Sequence, residues 1–108
     1  MAEREYFQTL STEGDAIHTR FTIEHGRVLV FTVQYEVFLE GEWKPVVRFD
    51  TAHGRVHRDL VDPSGHSAGK DWNWFGATLP YNEALTAAQQ EIITRWRSYR
   101  RDFLRRQR

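Results

Sequence analysis

The stretch Val47-Arg48-Phe49-Asp50-Thr51-Ala52-His53-Gly54-Arg55-Val56-His57-Arg58-Asp59-Leu60 alternates apolar and ionisable residues and turns back on itself at His53-Gly54. With His53 and Gly54 as the two loop residues, Asp50 lies opposite His57 and Arg48 opposite Asp59, so each acid faces a base across the hairpin. Val47, Phe49, Val56 and Leu60 share the other face, on which Thr51 and Arg58 are the discordant residues. One face is therefore core, and the other is chemistry or solvent.

Upstream, Ile17, Thr19, Phe21 and Ile23 alternate with His18, Arg20, Thr22 and Glu24, which predicts a half-buried strand over 16–24. Val28 to Leu39 predicts a longer strand whose apolar face carries Leu29, Phe31, Val33, Tyr35, Val37 and Leu39. Three-residue loops at His25-Gly26-Arg27 and Glu40-Gly41-Glu42 keep the apolar faces together, because a slip of one residue would invert every side chain. They place Ile23 opposite Leu29, Phe21 opposite Phe31, Leu39 opposite Trp43 and Val33 opposite Phe49. Pro45 predicts a bulge or an unpaired end early in the third strand. The expected sheet is a four-stranded antiparallel meander over 16–24, 28–39, 43–52 and 55–61. Its polar face aligns Arg20, Thr32, Asp50 and His57 in one row and His18, Gln34, Arg48 and Asp59 in the next.

Downstream, Asp62-Pro63-Ser64-Gly65 is a turn signal. The reading of 62–80 is one long loop whose Trp72-Asn73-Trp74-Phe75 cluster either plugs the core edge or lids a ligand. Leu85, Ala88, Ile92, Trp96, Tyr99 and Phe103 recur at helical spacing and predict a helix over 82–106, with Asn82 as its N-cap. At about 1.5 Å per residue this is a rod of about 36 Å, whose arginine-rich end should overhang the sheet. Met1 to Asp15 is polar and reads as a partly ordered lead-in. The fold class is thus α+β, a single domain over 1–108 in which the meander packs on one C-terminal helix.

The chain of 108 residues is 40% hydrophobic and 28% charged, in keeping with one folded domain. It has no cysteine, which excludes disulfides and thiolate metal sites. Glu3, Arg4 and Glu5 stand where a signal peptide needs an apolar run, and no stretch approaches a membrane span, so the expected setting is the cytoplasm. The net charge of zero conceals seven arginines between Arg95 and Arg108 against one acid, Asp102. Such an end can dock an anionic partner or simply complement the helix dipole.

Neither a nucleophile elbow nor a phosphate-binding loop is present. A zinc site built on His53 and His57 would need His66, Asp50 or Asp59 as a further ligand, and the reading expects neither metal nor cofactor. The polar rows suit proton transfer instead. His57 is the expected acid/base, with Asp50 orienting it, His53 as a second proton carrier, Arg48 and Arg20 holding an anion, and Asp59 and Thr32 in support. This set fits metal-independent cleavage of RNA. The competing reading is a module that binds a cognate protein partner or forms a homodimer, in which these residues are ordinary cross-strand pairs.

The segment Arg48-Phe49-Asp50-Thr51-Ala52-His53-Gly54, with His57-Arg58-Asp59 after it and Trp96 and Tyr99 on the last helix, resembles a family of small prokaryotic domains of unknown function. That resemblance covers about residues 28 to 104 and implies no activity. More distantly, Arg48-Phe49-Asp50 is similar to the Arg-Tyr-Asp-Asn segment of the TumE family of toxin components, with Thr51 in place of the asparagine. This second resemblance implies a toxin of a toxin-antitoxin pair.

Overall fold

A computed structural model describes residues 1–74 and 79–106, with the side chain of His53 outside that description. The chain is α+β, but its antiparallel sheet has six strands rather than four. They are β1 (Ala2–Ser11), β2 (Asp15–Glu24), β3 (Arg27–Leu39), β4 (Glu42–Asp50), β5 (His57–Val61) and β6 (Ser67–Asp71), paired in sequence order. The helix α1 (Tyr81–Arg105) crosses one face. Among the described residues no helix is long and apolar enough to cross a membrane.

The two added strands lie at the sheet edges, and both escape hydrophobic patterning for that reason. The predicted lead-in is β1, whose residues Glu3 to Phe7 are exposed and which is held by backbone pairing to β2. The predicted 62–80 loop contains β6, Ser67-Ala68-Gly69-Lys70-Asp71, in which no β-branched residue marks a strand. Phe75 and Gly76 of that predicted loop lie outside the described residues, as does Arg108.

The turns are tighter than the sequence reading has them. His25-Gly26 and Glu40-Gly41 are two-residue loops with both residues at positive φ, at 51° and 75° and at 54° and 82°. Mirror-image turns of this kind match the strand twist, and glycine takes their second position without strain. The residue removed from each loop reappears as a bulge, at Leu29 in β3 and at Val46 beside Pro45 in β4. Beyond each bulge the faces exchange. Val28 rather than Leu29 packs against the core, and Trp43, expected opposite Leu39, pairs with Phe38 on the other face and is 49% exposed. On the far side of the bulges the expected register holds, with Phe21 against Phe31, Tyr35 against Val47 and Val33 against Phe49.

The β4–β5 connection is longer than a two-residue hairpin. β4 ends at Asp50, a 3-10 turn spans Ala52–Gly54, and β5 starts at His57. Because six connecting residues preserve the parity of two, Asp50 still pairs with His57 and Arg48 with Asp59. The discordant Thr51 is satisfied inside the core, where its hydroxyl accepts the Phe31 N–H at 3.1 Å. The discordant Arg58 donates to the Tyr99 hydroxyl at 3.2 Å, and that hydroxyl donates to Glu91 at 2.7 Å.

The core lies between the sheet and α1, where Ile17, Val33, Tyr35, Val47 and Phe49 meet Ala84, Leu85, Ala88, Ile92 and Phe103. Two expectations for the helix change. Asn82 is not the N-cap: Pro80 holds that position, and the Asn82 side chain reaches the β2–β3 turn, accepting from Val28 N–H and donating to the Gly26 carbonyl, both at 2.9 Å. Nor does the arginine-rich end swing free. Phe103 is fully buried, and Arg100 lies 3.6 Å from buried Asp15, which also accepts from the Tyr35 hydroxyl.

Burial, then the hydrogen bond to Glu91, pushes the Tyr99 phenol up to about 12, while Arg58 acts in the opposite direction. Burial and Asp15 raise Tyr35 likewise. A phenol raised in this way contributes its full stability below its unfolded pKa of about 10 and loses it as pH rises through the folded value. Urea unfolding should therefore show stability falling above about pH 10, with Tyr99→Phe flattening part of the fall. An unchanged slope in that variant would remove Tyr99 from the account. Asn82→Ala, which cuts both ties to the turn, should cost about 1–2 kcal/mol in the same assay at neutral pH.

Candidate functional site

On the sheet face away from α1 the edge strands lengthen both polar rows. Glu5 joins the first, giving Glu5, Arg20, Thr32, Asp50 and His57; Phe7 and Lys70 join the second, giving Phe7, His18, Gln34, Arg48, Asp59 and Lys70. The alignment follows from alternation alone, since each row is one rung of the ladder.

His57 is the centre of the β4–β5 end. It is 1% exposed although it sits on the polar face, because the Trp72 ring covers it at a centroid distance of 4.5 Å. Its Nε2 lies 3.1 Å from Asp50 Oδ1 and 3.2 Å from Asp59 Oδ2. Its Nδ1 lies 3.2 Å from the Arg55 carbonyl oxygen. Both ring nitrogens thus face acceptors. Lys70 Nζ stands 3.5 Å from Asp59 Oδ1 and 5.4 Å from the Trp72 ring centroid. Asp50 also accepts the Ala52 N–H at 3.0 Å, which fixes its carboxylate at the start of the 3-10 turn.

A second histidine repeats the pattern toward the other edge. His18 Nε2 lies 2.9 Å from Glu5 and its Nδ1 3.2 Å from Glu36, with the ring stacked on Phe7 at 4.1 Å. Gln34 donates to Glu36 and accepts from Arg48 Nε at 2.7 Å. His18 and His57 are therefore each held between two carboxylates and covered by an aromatic, Phe7 from β1 and Trp72 from the turn after β6.

A cleft of about 550 Å³ opens between β1 and the end of β4, with Glu3, Glu5, Arg20, Thr32, Asp50 and Ala52 among its lining residues. Its lining carries three acids against two arginines, Arg4 and Arg20, and the Arg20 Nε is 3.9 Å from Glu5.

The predicted residues divide accordingly. Asp50, His57 and Asp59 come together, and Arg20 and Thr32 share the cleft with Asp50. Arg48 sits opposite Asp59 in the ladder yet turns its Nε to Gln34, while Asp59 is shared between His57 and Lys70. His53 belongs to the 3-10 turn, and its side chain lies outside the described residues. His66 is held by Ser64 in the exposed turn before β6, where the Ser64 hydroxyl, more than any other contact, keeps Asp62 below the usual carboxylate range.

Of the predicted 62–80 loop, Trp74 packs on buried Phe49 at 4.4 Å, which is the plug role, and Trp72 covers His57. Trp72 and Lys70 were not assigned to the cluster from sequence. Alternation continued from the Pro63-Ser64-Gly65 turn would have placed Gly69 opposite Asp59, and it is the irregularity at Ala68 that shifts the register by one residue and brings Lys70 there.

The chain belongs to a family described as a domain of unknown function, DUF7718, whose model matches residues 1–108. No curated protein and no solved structure matches it.

If Trp72 is the cover, Trp72→Ala should open the imidazole. Diethyl pyrocarbonate should then modify His57 readily, whereas in the parent protein exposed His25 and His66 react first. Mass mapping of modified peptides reads this directly, and equal protection of His57 in both proteins would show that Trp72 does not shield it.

Proposed function

We propose that the protein is a toxin-like ribonuclease whose site is the Asp50 end of the polar face. The observation that carries this reading is the position of Asp50, which lines the cleft and at the same time touches the buried imidazole of His57. The resemblance of Arg48-Phe49-Asp50 to the TumE toxin segment favours the same end of the sheet.

The roles differ from a bare histidine base. Neither ring nitrogen of His57 faces the cleft, so His57 acts as a positioning residue behind Asp50, with Asp59 and Lys70 completing its charge environment. Asp50 presents a carboxylate to the ligand and is the proton acceptor for an attacking ribose 2′-hydroxyl. Arg20 and the Thr32 hydroxyl are donors available to a phosphate in the cleft, and Arg48 stands in the adjacent row.

A second reading draws on one specific observation. Phe38 and Trp43 form an edge-on pair at 5.4 Å on the same face, 44% and 49% exposed, as a surface that docks a protein partner or a second copy would be.

Purified protein should cleave single-stranded RNA and leave the DNA of the same sequence intact, since the DNA lacks the 2′-hydroxyl. Asp50→Asn should lower the rate by about two orders of magnitude with the fold retained by circular dichroism, and Arg20→Ala should chiefly raise KM. Intact RNA together with harmless expression in a bacterial host would defeat the ribonuclease reading. A dimer or stable complex disrupted by Trp43→Ala would replace it with the docking one.

A further inference from the structure

We infer that Asp50, His57 and Asp59 form a binding site for one divalent first-row cation, of the Mn²⁺ or Zn²⁺ class. The site stands on its own geometry and rests on the ribonuclease reading only for what the ion would serve. Its donors are one imidazole nitrogen and two carboxylate oxygens, mutually within 4.8 Å. That mixed set suits an ion intermediate between the hard cations, which take oxygen alone, and the thiophilic ones.

The spacing is close to that of a coordination sphere. Two ligands bound cis to one octahedral ion at about 2.1 Å lie about 3.0 Å apart. The Nε2 of His57 lies 3.1 Å and 3.2 Å from the two aspartate oxygens, so an ion taking the place of the Nε2 proton finds its first ligands already gathered.

The other side of the ring provides an independent indication. Nδ1 lies within hydrogen-bond distance of the Arg55 carbonyl, which can only accept; Nδ1 therefore carries the proton and Nε2 is left as the ligating atom. Metal-bound histidines are held in this way by a backbone carbonyl on the second nitrogen. Asp59 Oδ1 is in turn buried without a hydrogen-bond partner, with Lys70 as its ion-pair neighbour at 3.5 Å. The Trp72 ring covers the imidazole, and Asp50 is the member that reaches the cleft, which makes the cleft the entry path and the location of any open coordination position.

Charge gives the ion a purpose. The cleft lining carries Glu3, Glu5 and Asp50 against Arg4 and Arg20, a net negative surface unfavourable for a phosphodiester. A dication at the Asp50 end reverses the local sign and draws a phosphate oxygen toward the carboxylate beside it. One Asp50 oxygen serves the ion and the other remains for the cleft. Lys70 opposes the ion through Asp59, so it sets an affinity ceiling that can be raised by substitution.

The test is a titration of the full chain with Mn²⁺ alone, followed by electron paramagnetic resonance, and with Zn²⁺ by calorimetry. One equivalent should bind, at least about tenfold more weakly in Asp59→Asn and more tightly in Lys70→Met. Asp50→Asn is the second ligand variant should Asp59→Asn fail to fold. No binding of either metal at millimolar concentration, or binding unchanged by both aspartate variants, would overturn the inference. RNA cleavage assayed with and without EDTA separates the two proposals. Cleavage in EDTA by a protein that binds no metal sinks the cation site and leaves the ribonuclease, whereas one bound ion with no cleavage under any condition does the reverse.

Discussion

Everything in this molecule depends on the register of β3 against its two neighbours. Val33 and Tyr35 are completely buried between β2, β4 and α1, and Val47 and Phe49 stand beside them. A slip of β3 by one residue would drive Thr32, Gln34 and Glu36 under the helix and carry Val33 and Tyr35 into water. Removing these apolar groups from the core would cost about 2 kcal/mol each, and burying the Glu36 carboxylate would cost more still. The alignment of the polar rows is therefore a by-product of core burial. No polar contact has to hold it, which leaves the polar face free to carry residues chosen for other reasons.

The polar face uses that freedom unevenly. Its centre, at Thr32 and Gln34, is uncharged, while histidines flanked by carboxylates stand on β2 and β5. In both places a residue at the sheet edge supplies the ring that shields the imidazole, Phe7 from β1 and Trp72 from the segment after β6. The clusters differ in one respect that matters for chemistry. His18 divides its two nitrogens between Glu5 and Glu36, whereas His57 turns one nitrogen to both acids and the other to a backbone carbonyl. The first arrangement bridges three strands. The second focuses three ligand atoms on one point.

Alternation made the interior of the sheet legible. Both polar rows across β2 to β5 follow from the sorting of residues around Val33, Tyr35, Val47 and Phe49, since those positions have only one face that can be buried. The edges were not legible, because β1 and β6 put few apolar side chains into the core, and backbone pairing leaves no mark on composition. The bulges of β3 and β4 hid for a related reason: a three-residue loop and a two-residue loop followed by a bulge give the same register in the core, so only residues at the bulge or between it and the turn, such as Val28, Leu29 and Trp43, report the difference. The site was legible to the same extent. Asp50, His57 and Asp59 were identifiable as neighbours, but the burial of His57 depends on Trp72, and no local pattern tied that residue to the ladder.

The connectivity also sets an order of assembly during synthesis. Every strand pairs with the one made just before it, so the sheet can zip up hairpin by hairpin as the chain leaves the ribosome, with each loop closure short. The cover for its apolar face, α1, is made after all six strands. Until residues beyond Tyr81 emerge, Val33 and Tyr35 have no helix above them, and much of the apolar face of the sheet stays bare. The Asn82 bond to the β2–β3 turn is then the first latch available as α1 emerges, because it sits at the leading end of the helix and reaches back to a turn already formed.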